Sequence, residues 1–132
     1  MKQASLFLKK ILENNAAIVA ACGNRIFPIA APAGIKDFPF VTFEHQSRAG
    51  DGTKDGSERV IDAMFSIVSR TALEAEELAD SILPQMYAYY ENPSLNEFAD
   101  TFSEPDFVNE KELYADDVDA FMISLQITFE TI

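Results

Sequence analysis

The sequence has few of the residues that enzymes and metal proteins use at their sites. Cys22 is the only cysteine, so an internal disulfide is impossible and a cysteine-based metal cluster within one chain is excluded. His45 is the only histidine, and tryptophan is absent. No apolar run approaches the length of a membrane span, and the N-terminal residues are too often charged for a signal peptide. We therefore expect cytoplasmic synthesis and no membrane partner.

Positive charge is also scarce. Ten Lys and Arg face 22 Asp and Glu, which leaves a net charge of -12. Affinity for nucleic acid requires clustered cations, so a sequence-specific nucleic-acid interface is not expected. The region from Glu97 to Asp119 holds many of the acids and a single lysine, Lys111. Any partner surface is expected to be neutral or basic.

The sequence does supply material for a core. Its 132 residues fit one domain spanning residues 1–132, and the mean hydropathy of -0.03 is ordinary for a globular protein. Eleven Phe and four Tyr provide bulky anchors. Global disorder is therefore not expected.

The segment Glu58–Tyr90 changes its period once, and the change predicts a strand that leads into a helix. Apolar residues first alternate at Ile61, Ala63, Phe65 and Ile67, and then recur at helical spacing at Ala75, Leu78, Ala79, Ile82 and Met86. Thr71 and Glu74 form a capping-box pattern at the switch, in which Glu74 reaches back to the cap. Pro84 is expected to kink or restart the helix.

The remaining elements follow from the same patterns. We predict a helix over residues 4–21, an edge strand at Arg25–Ile29, and strands at Phe40–Gln46 and Phe121–Phe129. Weak strand candidates lie at Leu95–Phe107 and at residues 107–115. The predicted fold class is α+β: a two-layer domain with two helices on one face of an antiparallel or mixed sheet of about four to five strands, in the order α-β-β-β-α-β(β).

One loop resembles a metal site. Asp51-x-Thr53-x-Asp55-Gly56, with Asp62 at the twelfth position, matches part of a calcium-binding EF-hand loop. Its predicted flanks are strands rather than helices, so a solvated Gly/Asp turn explains the pattern better. No metal is expected. The same glycine-rich segment, Ser47–Ser57, is predicted to be a mobile loop that contacts a partner molecule.

No catalytic group is predicted, and neither is a cofactor. Glu44 and His45 are adjacent in a strand and therefore point to opposite faces, and Cys22 lies at a helix C-terminus, where the dipole disfavours a thiolate. Hydrolase, P-loop and metalloprotease motifs are absent. The tyrosines of the second helix, Tyr87, Tyr89 and Tyr90, are expected to pack in the core and at its rim rather than to form a binding patch.

Four segments in order resemble a known family. The helix end reads A-x-V/I-x-A-x-G-x-R-I-F/Y-P at Ala17–Pro28, and a P-F/Y-V-x-F/Y strand follows at Pro39–Phe43. An E-A-x-x-L-A helix start lies at Glu74–Ala79, and an F-x-I-x-L-x-I-x-F strand lies at Phe121–Phe129. The chain resembles the tail-completion or tail-terminator proteins of long-tailed phages and prophages. Gly-x-Arg-Ile-Phe-Pro is the most specific part of the resemblance.

The resemblance implies a non-enzymatic virion assembly protein. Such proteins form a ring, typically a hexamer, which caps the tail tube, ends its polymerisation and presents a surface for head–tail joining. The implied partners are other copies of the chain, the tail-tube protein and the head–tail connector protein. The implied locations are the host bacterial cytoplasm during assembly and the tail or neck of the virion.

The interface is expected around the glycine-rich loop. The candidate contact residues are Arg48, Asp51, Thr53, Lys54, Asp55, Glu58 and Arg25. For Arg25 we favour a structural role as a cap on helix carbonyls over a partner contact. Two alternatives stay open at this point: a head-closure or neck connector protein, and a small α+β enzyme or ligand-binding domain with an acidic pocket.

Overall fold

The computed structural model describes residues 2–34, 37–50, 59–92 and 102–131. The helices and strands in this part of the chain are α1 Lys2–Glu13, α2 Ala16–Cys22, β1 Ile26–Pro28, β2 Phe40–Ala49, β3 Arg59–Ser69, α3 Ala72–Asp80, α4 Ile82–Glu91, β4 Asp106–Ala115 and β5 Ala120–Glu130. Within the described residues, no helix is both long and apolar enough to span a bilayer.

The strands form one sheet in the order β1-β2-β3-β5-β4. β1 runs parallel to β2, while every other neighbouring pair is antiparallel, so the sheet is mixed. The helices lie on one face of it. The predicted two-layer α+β class is therefore confirmed, and so is the position of β1 at a sheet edge.

The core lies between the helices and that face of the sheet. The alternating residues predicted to point inward from β3 are all fully buried. The inward residues of β5 and the predicted helical stripe join them in one cluster: Ile61, Ala63, Phe65, Ile67, Ile123, Leu125, Ile127, Phe129, Ala75, Leu78, Ala79, Ile82 and Met86. The apolar periods of the sequence thus identified the buried faces, because burial of these faces is the main favourable term in folding.

The helix predicted over residues 4–21 is in fact two helices, and the reason is Asn15. Its side-chain oxygen accepts a hydrogen bond from the Ile18 N–H at 3.1 Å, which caps α2. Its Nδ2 donates to the Ser81 carbonyl oxygen at 3.2 Å and to Ser81 Oγ at 3.0 Å. Ser81 lies between α3 and α4. The buried Asn15 therefore connects the break between α1 and α2 to the break between α3 and α4.

The second helical region is interrupted as expected, but at Ser81 rather than at the proline. α4 begins at Ile82, which puts Pro84 in its first turn. A proline there removes a backbone donor that has no partner within the helix. The restart of the helix is therefore compatible with Pro84.

The predicted cap of α3 is present, but its second half differs from the capping box. Thr71 Oγ1 accepts from the Glu74 N–H at 3.2 Å, as expected. Glu74 does not reach back to the Thr71 N–H. That N–H donates to Ser69 Oγ at 3.3 Å, and the Ser69 hydroxyl donates to Glu74. A fully buried serine thus stands between the two members of the box.

Two strands differ from their predicted bounds. β2 continues to Ala49, so the first residues of the predicted loop, Ser47–Ala49, are strand paired with Ile61–Arg59. β4 confirms the candidate at residues 107–115. Of the candidate at Leu95–Phe107, residues 95–101 lie outside the described residues.

β4 contains an irregularity that resets its alternation. Phe107 pairs with Ile127 on the helix side, whereas Asn109 pairs with Gln126 on the opposite side, so Val108 is an extra residue in the ladder. From Asn109 onward the alternation is regular. Glu110 and Glu112 then lie on the helix side of the sheet, opposite Leu125 and Ile123.

Arg70 fastens the turn between β4 and β5 to the rest of the molecule. Its guanidinium carbon lies 4.3 Å from the centre of the Phe38 ring. Its Nη1 donates to the carbonyl oxygens of Val118 at 3.0 Å and of Asp119 at 3.1 Å. The Tyr114 hydroxyl also bonds to Asp119. The far end of the β4–β5 hairpin is therefore held in place.

Candidate functional site

The one histidine occupies a structural position. Nε2 of His45 lies 2.9 Å from Ser5 Oγ on α1, and its Nδ1 is buried without a hydrogen-bond partner. Burial, with a smaller contribution from the N-terminal charge, lowers the pKa of His45. Glu44 points to the other face of the sheet and is exposed. The two residues therefore do not form a dyad, as expected from their adjacency.

The one cysteine is equally unsuited to chemistry. Cys22 is fully buried at the end of α2. Burial raises the pKa of its thiol to about 11, although the nearby Arg25 charge acts in the opposite direction. A thiol with so high a pKa is almost wholly protonated near neutrality and is a poor nucleophile.

The calcium-like motif cannot be assembled from the described part of the chain. Asp51, Thr53 and Asp55 lie outside the described residues. Asp62 lies in β3, and one of its carboxylate oxygens accepts a hydrogen bond from Arg48 Nε at 3.1 Å. Among the described residues, no group of three or more His, Cys, Asp and Glu is placed to hold a metal ion.

Of the predicted interface residues, the described ones are Arg25 and Arg48. Asp51, Thr53, Lys54, Asp55 and Glu58 lie outside the described residues. The Arg48 side chain is 54% exposed at the end of β2, beside the point where residues 51–58 begin.

Arg25 makes the structural contact that we favoured. Its Nη2 donates to the Ala21 carbonyl oxygen at 3.2 Å, which caps α2, and its Nε donates to the Pro39 carbonyl oxygen at 3.0 Å. The Arg25 carbonyl oxygen accepts from the Val41 N–H near the start of β2, so roughly 23 Å of strand separates Arg25 from Arg48, at about 3.3 Å per residue. The structure does not bring the two arginines together.

The tyrosines of α4 do not make a single surface patch. Tyr89 is buried, Tyr87 is half-buried and Tyr90 is 40% exposed. Core and rim packing, the expected role, accounts for all three.

The most exposed feature of the described sheet is β4, and the sequence did not single it out. Nine of its ten residues are exposed, and β5 is its one neighbouring strand. Half of its backbone N–H and C=O groups therefore point away from the sheet. Large apolar side chains are exposed along this strand and in the turn that follows it: Phe107, Val108, Leu113, Tyr114 and Val118.

Four carboxylates lie beside this edge on the helix side. Glu76 and Asp80 of α3 and Glu110 and Glu112 of β4 line a groove together with Ile123. The charge of Glu112 is the main cause of a raised pKa at Glu76. Partial burial, followed by the charges of Asp80 and Glu76, raises the pKa of Glu110. The carboxylates thus repel one another.

The described residues therefore define a two-layer α+β fold with an open sheet face and a long exposed edge strand, and the candidate catalytic residues have structural roles.

No protein-family model matches the chain, and no curated protein matches its sequence. Among solved structures, a chain from the "virion of native gene transfer agent (GTA) particle" has a similar fold, with a TM-score of 0.73. The match covers 96% of this chain and 92% of that chain at 16% sequence identity, and it shows a shared fold.

Proposed function

We propose that the chain is a non-enzymatic virion assembly protein of a phage or prophage. In this proposal its copies form a ring that caps the tail tube, ends tube polymerisation and provides the head–tail joining surface. The observation that carries the proposal is the fold match, which extends over 96% of this chain and 92% of a chain from a gene transfer agent virion. The resemblance of Gly23–Pro28 to tail-terminator proteins supplies the finer role.

The roles of the reactive side chains support a structural protein. Cys22 has a thiol pKa of about 11, His45 is held by Ser5, and Asp62 is occupied by Arg48. Catalysis would require a nucleophile or base with a pKa near the working pH and access to a substrate. The thiol of Cys22 does not meet that requirement, and the side chains of His45 and Asp62 are engaged by Ser5 and Arg48.

The shape of the subunit supports a ring. The helices cover one face of the sheet, while the other face presents polar side chains such as Thr42, Gln46, Ser124 and Gln126. A ring needs heterologous contacts, in which two different surfaces of neighbouring copies meet and the rotation closes. We assign one of these surfaces to Arg48 and the adjacent residues Asp51, Thr53, Lys54, Asp55 and Glu58.

The proposed ring has a protein partner on each of its two sides. The ring would bind the tail-tube protein on one side and the head–tail connector protein on the other. It would assemble in the bacterial cytoplasm and persist in the tail or neck of the virion. The acidic charge balance of the chain fits protein partners better than nucleic acid.

Mass measurement and tube capping test the proposal together. Sedimentation velocity and negative-stain imaging, with the chain alone and with tail-tube protein, should show closed rings at tube ends. Tubes assembled with the chain should be shorter than tubes assembled without it. Arg48→Glu should weaken ring formation, whereas Lys9→Glu is the matched control, because Lys9 is similarly exposed but lies on α1.

The possible results separate the alternatives. A chain that binds the connector and leaves tube length unchanged would favour a head-closure protein. A stable monomer that never associates with tube ends, even at high concentration, would overturn the proposal.

A further inference from the structure

Among the described strands, β4 pairs with β5 alone, and its outer backbone groups lie on a surface that the helices do not cover. Nine of its ten residues are exposed, although both of its faces carry large apolar side chains. Phe107 is 54% exposed and Tyr114 is 51% exposed. Long exposed edges of this kind are templates for an additional strand.

A second copy of this chain does not fit the edge. Two β4 strands paired antiparallel would oppose acidic residues to acidic residues, since Asp106, Glu110 and Glu112 are balanced only by Lys111. Like charges directly opposite one another destabilise a strand pair. The other edge of the described sheet, β1, has three residues and includes Pro28, so it offers little backbone for pairing.

The chain has no cationic strand of its own to place there. Its ten Lys and Arg never occur two residues apart, and their one adjacent pair, Lys9 and Lys10, lies in α1. Two cations on the same face of a strand must be two residues apart, because successive side chains point to opposite faces. The occupant must therefore come from a different polypeptide.

The carboxylates beside the edge indicate the chemistry of that occupant. A strand paired to β4 would place two of its side chains, two residues apart, opposite Glu110 and Glu112 on the helix side. The groove there is also lined by Glu76 and Asp80. Directly opposed side chains in antiparallel strands lie about 5 Å apart at Cβ, which suits opposite-charge pairs. Tyr114, two residues further on, suits an apolar neighbour.

We propose that β4 is a docking site for an extended segment of another protein that adds to the sheet as a strand and presents lysine or arginine at alternate positions to Glu110 and Glu112. Main-chain hydrogen bonds would supply general affinity, and the carboxylates would select cationic segments. The charge of Glu112 raises the pKa of Glu76, and burial together with the charges of Asp80 and Glu76 raises the pKa of Glu110. The repulsive part of both shifts is relieved when cations arrive. This inference does not depend on the ring, since a monomeric chain could also bind through β4.

A labelled peptide of alternating lysine and valine tests the site on the full chain, with fluorescence anisotropy as the readout. Binding should saturate and weaken as ionic strength rises. The double variant Glu110→Gln/Glu112→Gln should lose about tenfold in affinity, because two opposite-charge cross-strand pairs are removed. Glu13→Gln/Glu44→Gln removes the same charge from exposed positions on α1 and β2, and it should change the affinity less than about twofold.

A second peptide separates strand addition from simple charge attraction. Methylation of alternate backbone nitrogens keeps every lysine but removes the donors that pair with β4, so this peptide should not bind. Equal binding of both peptides would overturn the proposal, and so would equal losses in the two double variants or an absence of saturable binding.

Amide exchange of the free chain gives a last check. Slow exchange along the whole outer side of β4 without peptide would show that the edge is already covered.

Discussion

The two edges of the sheet are protected in different ways. β1 is short, runs parallel to its neighbour and ends at Pro28, which has no backbone donor. The next residue, Ile29, has a positive φ of 66°, so the chain leaves the strand direction at once. β4 is a full ten residues long and keeps its donors. The backbone of β1 therefore hinders the addition of another strand, whereas β4 can still pair and carries acidic side chains that repel an acidic strand.

The two edges also differ in how they are supported. β1 is tied to α2 and to the start of β2 through Arg25, and its neighbour β2 contributes Phe43 to the core. β4 rests on β5 and on the fastened turn at Asp119, with little apolar burial of its own. A strand held mainly by one ladder and one turn is an element that can open without unfolding the core. This contrast leads to three predictions.

The largest expected effect comes from truncating one phenylalanine beside each edge. Phe43→Ala should reduce the free energy of unfolding by about 3–5 kcal/mol, because the side chain is 5% exposed and its loss leaves a cavity. Phe107→Ala should cost less than about 1 kcal/mol, since more than half of that side chain already contacts water. Urea denaturation of both variants measures the difference. Equal losses would show that β4 is as firmly packed as β2.

A smaller effect is expected from the two described arginines of the predicted interface. Arg25→Ala should cost about 2 kcal/mol, because two carbonyl oxygens, those of Ala21 and Pro39, lose a charged donor. Arg48→Ala should cost at most about 1 kcal/mol, because its ion pair with Asp62 lies at the surface, where the Arg48 side chain is 54% exposed. Thermal unfolding of both variants provides the measurement. A larger loss in Arg48→Ala would contradict the assignment of Arg25 as the structural member.

The smallest effect concerns pH and is confined to β4. The pKa values of Glu76 and Glu110 are raised in the folded chain, so these carboxyls bind protons more tightly folded than unfolded. Their contribution to stability is therefore favourable at low pH and is lost as pH rises through the raised pKa values. Local opening of β4 should be rarer at mildly acidic pH than at neutral pH.

Amide exchange of β4, corrected for the intrinsic effect of pH, measures this opening. The variant Glu76→Gln/Glu110→Gln should flatten the dependence, while the amides of β2 serve as an internal reference. A β4 that opens more often on mild acidification would reverse the assigned sign.

Much of the fold was predictable because burial imposes a period on the sequence. The alternation of Ile61–Ile67 and the helical stripe from Ala75 to Met86 each identified a buried face correctly. The short edge strand was also correct, since Pro28 restricts where a strand can lie. The helix break was missed because Asn15 acts through Ser81, which is distant in sequence and adjacent only in the folded chain.

The exposed edge was harder to predict for a different reason. Most β4 side chains are exposed, so burial does not impose an alternation of apolar and polar residues on this strand. The extra residue at Val108 also shifts the alternation that is present. The capping box was half correct, because the buried Ser69 takes the position that a direct bond from Glu74 to the cap would have filled. The period of apolar residues in a sequence indicates which faces are buried. The exposed strand β4 and the cap of α3 depend on other contacts.

The irregularity at Val108 has one more consequence, which concerns length. The stretch of β4 with one unbroken alternation runs from Asn109 to Ala115, and a strand that pairs beyond it must pass Val108, as β5 does on the other side. That part spans roughly 23 Å at about 3.3 Å per residue. A segment of about seven residues therefore matches the regular stretch, and a longer segment must also accommodate the bulge.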